Sequence, residues 1–405
     1  MIKGYFSADW FNEAHQVARV EQSVNATTIK IVDSSWYGFL EAIEGGYEAG
    51  GACGKGPCGP PGRFTLTGLL SNVDMPGEWW YDDAAAMLYV YPPARETAAT
   101  SRSSHVWEAA DLTAVRFGQW SSGGWLTLQN SSYVTVRDIT ISGTGSGTMV
   151  QFNGGHHNTV GGCTLKNSAA TAVGYSGGHA NRIVGNDIYD VAQHLSAAAG
   201  NAGDNLSNLR PSNNQISNNH FTQVYFAPNS VWNVNVAGTG VRFSHNLIHD
   251  TPRDSFSPGG WGNPMQMIDH NEFMNTGYTA GDSGVMYVDA SQVEGYGMHV
   301  RENFIHHSLD IPQLKGRNGF LFDDHFGGLS NCSGNVMYKA AGTAILVRPS
   351  PNSNAHHRRS VASCCCVLAL SLCCKTRLGA DLTSMTATWW CLRGTAAPTI
   401  ILPTI

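Results

Sequence analysis

Charge is scarce in this chain. Only 13% of its 405 residues are Asp, Glu, Lys or Arg, about half the ~25% of an ordinary soluble domain. Seven lysines leave little from which to build the salt-bridged faces of a helical protein. Twenty-four basic against 30 acidic residues give a net charge of −6. With no basic cluster, an electrostatic nucleic-acid footprint is excluded. No apolar run reaches the ~18 residues that span a bilayer, so no membrane partner is expected. The first residues, MIKGYFSADWFNEAH, lack the basic, apolar and small-residue succession of a secretory signal. Pairs of Cys or His at zinc-ligand spacing are missing as well, and no metal or other cofactor is expected.

What remains is apolar and rich in turns. Hydrophobic residues make up 42%, enough for a sizeable core and against general disorder. Glycines number 46, about 11% of the chain, where ~7% is usual. Six of the ten cysteines fall after residue 360. Cys53 and Cys58 flank a Gly/Pro stretch, CGKGPC, which reads equally as a small disulfide loop in an oxidising compartment or as two free thiols.

One short pattern recurs: an alternating apolar stretch, then Asn, any residue, and Ile, Phe, Leu or Met. It reads VGNDIYDV at Asn186, SNNHFTQV at Asn219, SHNLIHDT at Asn246, DHNEFMNT at Asn271, RENFIHHS at Asn303 and SGNVMYKA at Asn335. Two earlier copies replace the asparagine, with Asp138 and Cys163 at the key position. The eight positions are separated by 25, 23, 33, 27, 25, 32 and 32 residues. Each unit is too short to bury its own apolar face and must stack on copies of itself. Period-two alternation signals strands, and Gly, Asn, Ser and Pro between them supply turns. A chain that winds one coil per 23 to 33 residues is an all-β, right-handed parallel β-helix solenoid. The repeated Asn is expected to stack as a hydrogen-bonded ladder along the axis. A β-sandwich would use tight two-residue hairpins, and a propeller would need blades of roughly 40 residues. The insert from His194 to Asn214 reads as a loop extruded from a middle coil.

These residues also resemble a known group, the right-handed β-helix proteins of the pectate-lyase-like superfamily, and especially its glycoside hydrolase branches active on xylan- or fucose-containing glycans. Asp74 to Pro93, DMPGEWWYDDAAAMLYVYPP, is similar to the group's Asp-x-Pro-Gly-Glu-Trp-Tyr … Leu-Tyr-x-Tyr-Pro-Pro signature. GYFSADWF at Gly4 to Phe11 and Trp36-Tyr37-Gly38 resemble what precedes it there. NLIHDTPRDS, GDSGVMYVD and GFLFDDHFGGLSNCSGNVMY resemble the coils that carry the group's cleft. The likeness covers roughly residues 4–348 and implies three regions. Residues 1–105 form a small β-rich N-terminal piece, shorter than in the group and so truncated. Residues 106–348 form the solenoid, and residues 349–405 form a disordered tail without family likeness. The resemblance implies a polysaccharide or oligosaccharide partner and an extracellular location.

Glycoside hydrolysis needs two carboxyl groups facing one cleft. Equivalent positions on successive coils lie ~4.8 Å apart, so neighbouring coils suit a retaining pair and alternate coils an inverting one. The candidates are Asp254, Asp282, Asp289, Asp323 and Asp324. Asp282, in a GDSG turn before a strand, is paired here with Asp323, and Asp324 is the alternative on the same coil. Arg253, Tyr287, His325 and Trp261 are expected to contact substrate. Asp254 and Asp289 read as local turn acceptors, and Glu78 and Trp79 as structural. The tandem pairs His156-His157 and His306-His307 are expected to alternate, one ring of each pointing away, so that neither pair binds metal. Asn25, Asn130, Asn205 and Asn331 begin N-glycosylation sequons. Three functions fit these residues: a glycoside hydrolase acting through two aspartates, a polysaccharide lyase or uronate epimerase, and a non-catalytic carbohydrate-binding or structural solenoid.

Overall fold

The computed structural model describes residues 1–8, 10–24, 27–33, 63–91, 121–198, 210–224, 232–258, 264–288, 297–308, 317–322, 329–340, 343–347, 365–371 and 386–391. They fall into two compact units, one within residues 1–43 and 60–119, the other within 44–59 and 120–405. Apart from one 3-10 turn at Leu70–Asn72, every regular element among them is a β-strand. No described helix is long and apolar enough to cross a membrane. The CGKGPC stretch and Trp36-Tyr37-Gly38 lie outside the described residues.

The first unit is antiparallel. Ile2–Ala8 pairs with Phe11–His15 on one side and Arg63–Leu66 on the other, and Trp79–Asp82 pairs with Met87–Val90. The Glu78 carboxylate accepts the N–H groups of Asp74 (2.9 Å) and Met75 (2.8 Å) and closes its own turn. Trp79 is 66% exposed. The neighbouring Trp80 makes the tie, donating Nε1–H to the Gly68 carbonyl at 2.9 Å.

The second unit is a parallel β-helix whose strands form a 25-stranded sheet. Each coil crosses three faces. On one coil these are Arg242–Ser244, Leu247–Thr251 and Asp254–Ser257, and the next coil lays Met267–Asp269, Glu272–Thr276 and Ser283–Val288 upon them in parallel register. Each face points apolar side chains inward. Phe243, Ile248 and Phe256 fill one level and Ile268, Phe273 and Met286 the next, none more than 1% exposed. The rings of Phe243 and Phe256 stack with centroids 4.3 Å apart. Burying each such side chain stabilises by about 1.5–3 kcal/mol, and only stacked coils allow it.

Each corner includes at least one residue in the left-handed region. After the first face these are Asp138, Gly162, Gly185, Asn218, His245, His270, Glu302 and Gly334, with φ from 55° to 68°. After the second they are Asn167, Asp190, Gln223, Asp250, Asn275, His307 and Lys339, at 47° to 54°. After the third they are Tyr133, His157, Ala180, Asn213, Gly240, Met265 and Gly297, at 52° to 79°. Glycine adopts this region freely and Asn, Asp and His more readily than other residues, which explains the weight of those types at the corners.

The expected asparagine ladder follows the first corner. Each Oδ1 accepts both the backbone N–H and the Nδ2–H of the asparagine one coil earlier. The chain of bonds runs from Asn186 through Asn219, Asn246, Asn271 and Asn303 to Asn335 at 2.9–3.0 Å. Each Nδ2 also donates to a carbonyl of an earlier coil, as Asn246 does to Ile216 at 3.1 Å. Asn186 Oδ1 accepts the Cys163 N–H at 3.0 Å, where the ladder ends. One position is corrected: Thr140 pairs with Thr164, so the partner of Cys163 is Ile139, and Asp138 matches Gly162 instead. A second, shorter ladder after the third corner links Asn158, Asn181 and Asn214. The proposed insert is narrower than expected, because Asp187–Ala198 is one strand that includes His194 and because Asn214 belongs to this ladder. In the C-terminal part of the unit, Cys365–Ser371 pairs parallel with Leu329–Tyr338 and antiparallel with Thr386–Cys391.

Asn246→Ala removes the partner of the Asn219 amide and of the Ile216 carbonyl, both buried. At about 1–3 kcal/mol per orphaned group, the unfolding free energy should fall by about 2–6 kcal/mol. Urea denaturation followed by circular dichroism measures this, and a change below about 1 kcal/mol would remove the ladder from the stabilising interactions.

Candidate active site

The corner between the second and third faces of the described late coils carries a cluster of buried polar residues, Thr251, Arg253, Asp254, Ser255 and Ser283 among them. Arg253 and Asp254 follow the left-handed Asp250, and Asp282 stands one coil on, immediately before Ser283–Val288. Asp254 is 1% exposed. Its Oδ2 lies 3.4 Å from Nε of Arg253, itself buried, and its Oδ1 accepts the Gly284 N–H of the next coil at 2.7 Å. Gly284 is required there: a Cβ on it would lie 2.7 Å from the Met286 carbonyl oxygen and 2.9 Å from Leu321 Cβ. The backbone tie between the coils is completed by Asn233, whose Nδ2 donates to the Asp254 carbonyl at 3.0 Å.

Electrostatics single out this carboxyl. Burial raises the Asp254 pKa from 3.8 to about 7. The Arg253 charge and the Gly284 N–H act against that rise, and the negative charge of Asp282 adds to it. Asp282 is half-buried and has φ 46°, a left-handed conformation that costs an L-residue about 1–2 kcal/mol. The next coil closes the floor. Arg317 is buried and donates Nη2–H to the Thr276 carbonyl at 2.9 Å, and Asn318 donates Nδ2–H to the Ser283 carbonyl at 3.3 Å.

A chain of imidazoles on the second face leads to this corner. Asp187 Oδ1 lies 2.8 Å from His220 Nδ1, His220 Nε2 2.7 Å from His249 Nε2, and His249 Nδ1 2.6 Å from Asp250 Oδ2. Burial works to raise the Asp250 pKa, but hydrogen bonds from Asn275 and His249 and the His249 charge outweigh it and hold it below the usual value. The Tyr278 hydroxyl is pushed up by burial and by the Asp250 charge. His194, behind this chain, is buried and bonded to the Thr222 carbonyl at 2.8 Å, and burial lowers its pKa to about 4.

The structure therefore brings together Arg253, Asp254 and Asp282. Asp254 accepts its own backbone N–H, as a local acceptor does, and also the N–H of Gly284, 30 residues away on the next coil. Tyr287 is half-buried on Ser283–Val288, opposite Leu321. Ser283 pairs with Arg317 at one end of that strand pair and Val288 with Phe322 at the other. Asp289, Asp323, Asp324, His325 and Trp261 lie outside the described residues.

Asp254 fixes the sign of a pH effect. Its folded-state pKa is raised from 3.8 to about 7, so between those values the unfolded chain releases a proton that the folded chain keeps. The stability it contributes is present at low pH and is lost as pH rises through that window. His194, lowered from 6.5 to about 4, acts oppositely, costing stability as pH falls. The comparison that isolates Asp254 is between wild type and Asp254→Asn: relative to the variant, wild type should lose stability from pH 4.5 to 7.5 in urea unfolding. Parallel pH profiles would show that the carboxyl ionises normally.

No protein-family model matches the chain, and no curated protein does. Among solved structures, a chain described as a glycoside hydrolase aligns at 14% identity over 88% of this chain and 69% of its own, with a TM-score of 0.44. A GH136 lacto-N-biosidase from Eubacterium ramulus aligns at 10% identity over 50% of each chain, with a TM-score of 0.29. At such identities the chain's own residues have to carry any statement about its chemistry.

Proposed function

We propose that this chain hydrolyses glycosidic bonds of a polysaccharide or oligosaccharide, with Asp254 and Asp282 as its two carboxyl groups. The observation that carries this reading is a carboxyl held protonated to about pH 7 by burial, with a second carboxyl close enough for its charge to act on the first. One acid kept neutral beside one kept ionised is the division of labour that glycoside hydrolysis requires.

Asp254 is the proton donor to the leaving glycosidic oxygen. Asp282 is the carboxylate that attacks the anomeric carbon, giving a glycosyl–enzyme ester. Water then cleaves that ester, with Asp254 accepting its proton. Asp254 and Asp282 belong to successive coils, Asp282 standing two residues before the Gly284 that lies opposite Asp254, and this double displacement requires the two carboxyl groups to come within ~5–5.5 Å of each other. Arg253 keeps the ionised form of Asp254 accessible for the second step. Tyr287 offers a ring on the same strand for a sugar to stack on.

The test is release of reducing ends from a panel of neutral plant and algal glycans. Asp254→Asn and Asp282→Asn should each lower kcat by about 10²–10⁴-fold, and wild-type activity should fall as pH rises above about 7 with the loss of the Asp254 proton. Asp323→Asn and Asp324→Asn, assayed in parallel, should keep most activity. If they abolish it while Asp254→Asn does not, the acid belongs to the end of the coil that follows Phe322. Unsaturated products that require calcium would replace hydrolysis by a lyase.

A further inference from the structure

We propose that His156, His157 and His179 form a binding site for a zinc ion at the corner between the third and first faces. Each of these residues offers one ring nitrogen, and the three nitrogens lie within 4.8 Å of one another. The site is separate from the carboxyl cluster and plays no part in the proposed hydrolysis.

Its geometry follows from the solenoid. His156 and His179 occupy the same position on successive coils and bridge in parallel, so their rings stack with centroids 4.9 Å apart. His157 is the left-handed corner residue of its coil, with φ 56°. Extended backbone would send its ring to the side opposite His156, as strand alternation leads one to expect. The left-handed turn cancels that alternation, and the two Nδ1 atoms come to 3.0 Å from each other. Gly155 lets the corner settle this closely, since a Cβ there would lie 1.9 Å from the Ser131 carbonyl oxygen. Asn158 and Asn181 follow directly, and their ladder fixes the backbone on both coils.

The donor set selects the ion. Zinc–imidazole bonds of ~2.0–2.1 Å in a tetrahedron put neighbouring nitrogens roughly 3.3 Å apart, and the His156–His157 pair at 3.0 Å is already near that value. A turn of the exposed His179 ring about its soft χ2 brings in the third nitrogen. The fourth position faces solvent and is filled by water. With three imidazoles and no carboxylate, the set suits a borderline transition ion and not calcium or magnesium. Other histidine groups on the surface are committed elsewhere. His306 Nε2 lies 2.9 Å from Glu272 Oε1, and both ring nitrogens of His270 face carboxylates, Nδ1 at 3.0 Å from Asp269 Oδ2 and Nε2 at 2.8 Å from Glu302 Oε2.

The test is zinc titration of the full chain, freed of metal by a chelator, against a chromophoric competitor. One equivalent should bind. Loss of a ligand should weaken it at least as much as loss of an outer-shell partner does, roughly 10–100-fold, in each of His156→Gln, His157→Asn and His179→Gln. The double variant His245→Gln/His270→Gln should bind as wild type does. Unchanged affinity in the three single variants, or loss of the same equivalent in the double variant, overturns the site. Cobalt decides on the unaltered chain if a variant does not fold: intense visible bands of a tetrahedral complex support the site, and a weak octahedral spectrum overturns it.

Discussion

From Asn186 to Asn335 the coils of the second unit depend on one hydrogen bond made repeatedly, from an asparagine on one coil to the asparagine carboxamide at the same position on the next. The carboxamide serves because it carries a carbonyl and an amino group on one short arm. Its oxygen takes the amide of the coil before, and its nitrogen reaches back to a carbonyl buried in the turn. Without it, the first corner of each of these coils would leave a buried N–H and C=O unpaired, at about 1–3 kcal/mol for each group. With it, the coils keep register, and register packs the rings of Phe243 and Phe256 on one level against Phe273 on the next.

The same register makes chemistry available. A carboxyl on one coil meets backbone and side chains of the next at the spacing of a β-sheet, so groups remote in sequence become neighbours at fixed separation. Asp254 is held by its own coil through Arg253 and by the following one through Gly284. It is buried by the stacking itself, and burial is the largest cause of its raised pKa. The His156–His157–His179 group is the same effect at another corner, where one left-handed residue adds a second ring to a coil-to-coil stack.

The solenoid was legible in the sequence because its two determinants are local: period-two alternation within a strand and an asparagine at a constant place in each unit. Where the asparagine is missing, the alignment slipped by one residue, taking Asp138 in place of Ile139. The three left-handed corners were not legible. Met265, Lys339 and Glu302 occupy them as well as glycine and asparagine, so no residue type marks the position. The late acidic turns pointed to the neighbourhood of the site and to Asp282. The weight of Asp254 was hidden, because it comes from an amide 30 residues away and from packing that no local window contains. Likewise, alternation argued that one ring of each tandem histidine pair points away, and the positive φ of His157 and of His307 reverses that, bringing the Nδ1 atoms of each pair within 3.0 and 2.7 Å.

The most direct measurement is a site-resolved carboxyl titration by carbon NMR, on wild type and on Asp282→Asn. Asp254 should titrate near pH 7 in the wild type. Its midpoint should move down when the neighbouring charge on Asp282 is removed, because that charge disfavours ionisation. A midpoint near the ordinary 3.8, or one that Asp282→Asn leaves unmoved, would contradict a coupled carboxyl pair on successive coils.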